Sequence, residues 1–306
     1  MTDTRKLVKA GPASHTVSLP KQWVEKNNLK TGDSLYVTEK SSTEVIISTQ
    51  LKEAAFPHKE ITITTDGKKL ASVQREITAA YVNNYRSITI VGKEVEQELP
   101  ALRTILQGFV ALEITEQSPK TIVIKDLLDL SEISLDKTIR RMDMMVRTML
   151  TECGKQDAEQ TLRVKDEEVN KLYFLLMRLL KSALTQPTIM EQFTLSPSTV
   201  LQHWSLLTEL ESMADSTQTA HFILLAHKNK DARALLDEIK TNYETAFKAW
   251  LTHDKNLAEK VLQCRIPLVD ECTKLAKHRD LVELMENYKT MTSTIATIAR
   301  LVVDEE

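Results

Sequence analysis

The stretch "HTVSLPKQWVEKNNLKTGDSLYV" (His15 to Val37) decides how the first fifty residues are read. Thr16 to Leu19 alternates like a strand end. Pro20 cannot continue a central strand but suits the start of a helix. Lys21 to Asn27 gives a short helix that Asn27-Asn28 ends. Thr31-Gly32-Asp33 is a turn, with Gly32 free to take positive φ. Outward from this stretch, Arg5 to Lys9 precedes it as a strand, and Ser34 to Thr38 and Thr43 to Thr49 follow as two more. Residues 3–50 thus read β-β-α-β-β. So short a unit, with few large apolar side chains, cannot bury much core alone. It calls for completion, most simply by a second copy of itself.

Gly11, "VSLP" (Val17 to Pro20), Trp23, Leu29 and the Thr31-Gly32-Asp33 turn resemble the AbrB/SpoVT/MazE-type domain. The resemblance covers about the first 50 residues. It implies two chains interleaving their hairpins into one swapped barrel that binds DNA. Readers of that type usually carry Arg just after the first hairpin and on the short helix. Here Thr16 stands at the former and Val24 and Glu25 at the latter. From the remaining basic set, the residues expected to face DNA phosphates are Arg5, Lys6, Lys9, His15 and Lys21.

The chain has 306 residues, enough for two or three units, and 42% apolar with 27% charged residues marks ordinary globular material. Six Gly, eight Pro and ten Met point to a helix-rich chain. No apolar run of about 18 residues occurs, so no membrane insertion is expected. The opening residues lack an apolar leader. Cys153, Cys264 and Cys272 show no CxxC spacing and read as reduced thiols, so a cytoplasmic location is expected. Net charge is −3, but residues 1–50 hold seven basic and five acidic side chains, a balance of +2. Only the first unit leans basic, and mildly. A dimer of it suits weak phosphate contact better than a strong grip, and ordinary solvated lysines would look the same.

Past a linker at Phe56-Pro57-His58 the texture changes. Glu60 to Gly67 alternates as a strand, and Lys69 to Tyr85 carries Leu70, Val73, Ile77 and Tyr81 at helical spacing. Ser87 to Gly92 is a strand, and Glu94 to Gly108 a helix. "LEITEQS" and "KTIVIKDLL" pair around Ser118-Pro119. Residues 56–130 therefore read as a small α+β connector without a phosphate-binding Gly loop. Residues 131–306 show almost no strand signal. Six helical runs, about 132–153, 161–185, 196–227, 230–252, 256–278 and 280–303, imply one bundle or two three-helix units in tandem. Ser196-Pro197 looks like a capped start. Pro267 is expected to bend or divide the fifth run.

Two polar stretches carry the candidate chemistry. In "KDEEVNKLYFLLMRLLK" Asp166 and Asn170 lie four apart, and in "TELESMADSTQTA" so do Glu211 and Asp215. Each pair sits on one helical face, in line with an apolar stripe. A hairpin folded near residues 190–191 sets residue i beside about 381 − i. Asn170 then meets Glu211, and Asp166 meets Asp215. Four oxygen-bearing side chains at one level suit hard or borderline cations such as Mg²⁺, Mn²⁺ or iron. The alternative is a salt-bridged surface with Lys165, Lys171 or Arg178 as partners.

"DEEVNKLYFLL" and "LESMADSTQTA" look like PhoU, whose tandem three-helix bundles carry an E/D-x-x-x-D motif in each half. "GFVALEITEQSPKTIVIKDLLDL" (Gly108 to Leu130) is similar to the connector of archaeal chains that join an AbrB-type domain to PhoU. The resemblance implies a metal ion (Mg, Mn, Fe or Zn) at Asp166, Asn170, Glu211 and Asp215, and a role in restraining phosphate uptake. Glu211 and Asp215 match one motif fully, whereas Asn170 replaces an acid in the other. In the second repeat "MENYKT" offers Glu286 and Thr290, and Asp270 is followed four later by Lys274, so a second site is not expected. The seven His form no HExxH, no GxSxG occurs, and no enzyme is expected.

The fold class expected is multidomain and mainly α. It joins a swapped-hairpin β-barrel domain (1–52), an α+β connector (56–130) and a PhoU-like tandem three-helix bundle (131–306). The function expected is a homodimeric, phosphate-responsive transcription regulator binding double-stranded DNA. The alternative is an adaptor that grips a phosphate ABC transporter or a signalling kinase, with the first domain serving only dimerisation.

Overall fold

The computed structural model describes residues 4–12, 14–41, 43–49 and 59–305. The chain divides into two units, Met1–Pro57 and His58–Glu306.

In the first unit β1 (Val8–Lys9) pairs antiparallel with β2 (His15–Thr16). A short helix α1 (Lys21–Lys26) follows, then the hairpin β3 (Tyr36–Ser41) and β4 (Glu44–Ser48). The β-β-α-β-β order is the one the sequence implies, with β2 shorter than its alternation suggests. The Pro20 carbonyl accepts the Trp23 and Val24 N–H groups at 3.0 and 3.1 Å, so proline caps α1 without needing a donor of its own. In the turn after α1, Gly32 takes φ +102°. There Asp33 Oδ2 accepts the Lys30 N–H at 2.6 Å, while the Asp33 N–H donates to the Lys30 carbonyl at 3.0 Å. Among the described residues the two hairpins remain separate two-stranded sheets, and one chain closes no barrel.

No residue of this unit whose side chain is described is buried. Leu7, Val8, Val17, Tyr36, Val37, Val45 and Ile46 all stand exposed, Leu7 at 70% and Val37 at 66%. In β3–β4, Val37 faces Ile47 across the ladder and Val45 lies two residues from Ile47, so one face of the hairpin is apolar and uncovered.

The second unit opens with β5 (Glu60–Thr64), α2 (Leu70–Val82), β6 (Ser87–Val91), α3 (Val95–Gln107), β7 (Leu112–Ser118) and β8 (Thr121–Asp126). The sheet order is β5-β6-β8-β7, with β5 and β6 parallel and the other pairs antiparallel. Ile63, Ile88, Ile90, Ile122 and Ile124 project from one sheet face onto Val73, Ile77 and Tyr81 of α2 and Leu102 and Leu106 of α3. These β-branched strand residues alternate with Thr and Val, which is why the strands are readable from period two.

Seven helices follow: α4 (Leu135–Glu152), α5 (Glu159–Thr185), the short α6 (Pro187–Gln192), α7 (Pro197–His227), α8 (Lys230–Thr252), α9 (Lys255–Leu275) and α10 (Val282–Val303). Helices α4, α5 and α7 pack pairwise, as do α8, α9 and α10, and α7 against α10 joins the two sets. Phe174 of α5 also packs against the core of the sheet layer. The breaks between helices are built by caps. Ser196 and Thr199 form a capping box with Pro197 at the first helical position. Asn229 and Asp254 cap α8 and α9, each after a left-handed residue, Lys228 or His253. Pro267 does not divide α9, which runs unbroken through it. A buried Asp143 on α4 accepts the Tyr243 hydroxyl of α8 at 3.0 Å and Arg147 Nε at 2.8–2.9 Å, a polar tie between the two helix sets.

Candidate functional site

Arg5, Lys6, Lys9, His15 and Lys21 are all exposed. Lys9 and His15 are direct cross-strand partners in β1–β2, and Arg5 and Lys6 precede that ladder. Lys21 opens α1 and reaches Glu25 at 3.6 Å, one turn on and fully in solvent, a contact of little energy. One chain therefore offers a loose basic strip rather than a cleft.

Asp166 lies beside Asp215, as the hairpin register implies, while no hydrogen bond joins Asn170 to Glu211 among the described residues. Asp166, Asn170 and Glu211 are half-buried and Asp215 exposed. Asn170 Nδ2 donates to Asp166 Oδ2 at 3.4 Å, and Asp166 Oδ1 is buried with no partner. Asp166 and Asp215 lie close enough to shift one another's titration. Burial pushes the Asp166 carboxyl up to about 6, helped by the Asp215 charge, and pushes Glu211 up to about 7, helped by Asp215 and Asp166. Asp215 is raised by burial too, though the hydrogen bond from Asp166 opposes this.

Two of the three cations that would have made this an ordinary salt-bridged surface are engaged elsewhere, and among the described residues no ion pair joins the third, Lys165, to the acids. Lys171 Nζ donates to the Gln107 carbonyl at 3.1 Å. Arg178 is fully buried against Asp126 and Asn84. Among the described residues no ion pair neutralises Asp166, Glu211 or Asp215, which is unusual for carboxylates half-buried as Asp166 and Glu211 are. Their oxygen chemistry and the orphaned Asp166 Oδ1 fit a hard cation. Even so, among the described residues no group of three or more His, Cys, Asp or Glu side chains is drawn tightly enough to hold a metal ion. With Asn170 in place of an acid, Glu211 and Asp215 would have to close on Asp166 to complete a shell.

A cleft of about 970 Å³ elsewhere in the second unit includes none of these residues. It lies among Ile139, Arg140, Phe193, His203, Trp250 and Asp304. The cluster that sequence reasoning missed is the buried one around Arg178, because an Arg in a helical stripe reads as a surface residue. No helix among the described residues is long and apolar enough to cross a membrane.

Comparison with known proteins reaches only the first unit. Residues 11–53 match the family model "Antidote-toxin recognition MazE, bacterial antitoxin". The chain thus carries a MazE/AbrB-like domain at its N-terminal end. No curated protein and no solved structure matches the chain. The PhoU-like reading of residues 131–306 rests on their sequence alone.

Proposed function

We propose that this protein is a homodimeric regulator that binds double-stranded DNA through residues 1–52 and takes its signal through the helices of the second unit. The observation that carries the reading is the first unit's uncovered apolar surface. A two-hairpin body in which no described side chain is buried cannot offset the entropy of its own ordering. A second copy supplies the missing core, and doubling the chain also doubles the exposed Arg5, Lys6, Lys9, His15 and Lys21. Phosphate status is the signal favoured by the resemblance of residues 131–306 to PhoU. Asp166, Asn170, Glu211 and Asp215 are the place at which a divalent or ferric ion would report it. The test is fluorescence anisotropy of a labelled duplex titrated with the chain at several salt concentrations. The reading expects binding with a negative salt slope, and it fails if the chain binds no duplex at low salt.

A second reading has an observation of its own. Thr16, Val24 and Glu25 stand where DNA readers of this type carry Arg, and Glu25 also engages Lys21. That pattern favours an adaptor or antitoxin-type regulator. Its first unit would only dimerise, and its helices would grip a protein such as a transporter or kinase.

A further inference from the structure

Helix α5 makes a buried polar contact with the end of α2 and the end of β8. Arg178 is 0% exposed. Its Nε and Nη2 donate to Asn84 Oδ1 at 2.9 and 2.6 Å, and Nη2 also donates to Asp126 Oδ2. The guanidinium lies 4.9 Å from the centre of the Tyr81 ring. Asn84 follows α2 with φ +63°, a left-handed cap that turns its side chain toward α5. Asp126 ends β8, and its carboxylate also accepts Arg86 Nη1 at 2.9 Å and the Leu128 N–H at 3.1 Å. One turn along α5, Lys181 Nζ donates to Asn83 Oδ1 at 3.1 Å.

These contacts converge on one corner of the sheet. The Arg86 N–H donates to the Lys59 carbonyl at 2.8 Å, and Lys59 Nζ reaches the Asn83 carbonyl at 3.4 Å. Lys59 is where the chain arrives from residues 1–57. About 12 Å along its axis from Asn170, and about 18 Å from Asp166, α5 thus holds Asn83, Asn84 and Asp126, and Asn83 and Arg86 in turn hold Lys59, where the chain enters the second unit.

The chemistry of the grip favours register over net stability. Two guanidiniums share one buried carboxylate, and Arg178 Nη1 has no partner among the described residues. Burying ions this way returns little net energy. The rings of Tyr81, Phe109 and Phe174 already join α2 and α5 through apolar contact. Apolar contact tolerates sliding, whereas a planar guanidinium fork on Asn84 and Asp126 accepts one position.

We propose that Arg178 is a positioning residue that ties the seating of α5 to the corner at Lys59. A change in α5–α7 pairing at Asp166, Glu211 and Asp215 then reaches the chain as it passes to residues 1–57. Only the consequence for DNA binding rests on the function proposed above. The tie itself does not.

The test is a double-mutant cycle on the full chain, read by hydrogen exchange at residues 59–64 and 84–88. The four proteins are the native chain, Glu211→Gln with Asp215→Asn, Arg178→Met, and the three changes combined. Arg178→Met leaves Asp126 paired with Arg86, and Arg178→Lys, which keeps the charge but loses the fork, replaces it if it does not fold. Neutralising the acids removes repulsion between α5 and α7. It is expected to slow exchange at 59–64 by about threefold or more in the native background, and by less than half that once Arg178 is replaced. An equal response in both backgrounds, or none in either, overturns the proposal. Duplex affinity of the same four proteins separates the two readings. A coupled exchange response in a chain that binds no DNA leaves the tie standing and removes the DNA function.

Discussion

The two units of this chain dispose of their apolar side chains in opposite ways. In the second unit Phe247, Tyr243, Ile88 and Ile122 are at or near 0% exposure, and the sheet layer and helices supply one another's cover. In the first, Val37 is 66% and Val45 58% exposed, and no described side chain is buried. The second unit has the means to be stable as a monomer, whereas the first is half of something. What distinguishes them is first of all size. Some fifty residues in short strands cannot enclose a core, while about 250 can.

This contrast can be broken at several points. The largest effect is expected in the second unit. Phe247→Ala removes a ring stacked near Tyr243, with the Arg147 guanidinium 5.8 Å above it. It should cost about 3–5 kcal/mol in denaturant unfolding. A change below about 1 kcal/mol would mean that the helix sets are not packed as described.

Next comes the acidic patch. Glu211 is raised to about 7 and Asp166 to about 6, so folding favours their protonated forms. Stability should therefore fall as pH rises from the ordinary carboxylate range through 7. The shift on Glu211 corresponds to about 3 kcal/mol undiminished, and half-exposure reduces this to about 1–2 kcal/mol. Glu211→Gln should raise the melting temperature at pH 8 and flatten its decline between pH 5 and 8. An unchanged slope would show that the carboxyls do not oppose one another.

A cation at ten times its Kd would stabilise the same patch by about 1.4 kcal/mol. The melting temperature should rise with Mg²⁺ or Mn²⁺, more in Asn170→Asp and not at all in Glu211→Gln with Asp215→Asn. If chelation leaves the native melting curve where it was, the patch is an acidic surface that works through protein contacts.

The smallest effect belongs to the basic strip. Lys6→Ala or Lys9→Ala should lower the salt slope of duplex binding by about 1 for each phosphate no longer neutralised, doubled in a symmetric dimer. Binding that ignores salt would favour the adaptor.

How much was legible in the sequence follows the same divide. The β-β-α-β-β order, the β-α-β-α-β-β connector and six long helices could be read from alternation, helical spacing and caps such as Ser196-Pro197, because those signals are local. The pairing of Asp166 with Asp215 could be reached from register alone. The short α6 could not be foreseen, and of the two expectations at Pro267 the division of α9 does not occur. The Arg178 cluster was illegible for a different reason. Its partners Asn84 and Asp126 lie 94 and 52 residues away, and nothing in the spacing marks an Arg as buried.

The central claim is that a second copy completes the first unit, and light scattering on the full-length chain tests it most directly. Each chain is 34.8 kDa. The account predicts twice that mass at micromolar concentration. It also predicts one chain's mass for Val37→Asp with Val45→Asp, whose changes fall on the uncovered hairpin face, with the helical circular dichroism of the second unit retained. A native chain that scatters as a monomer, or a double variant that stays a dimer, would contradict it.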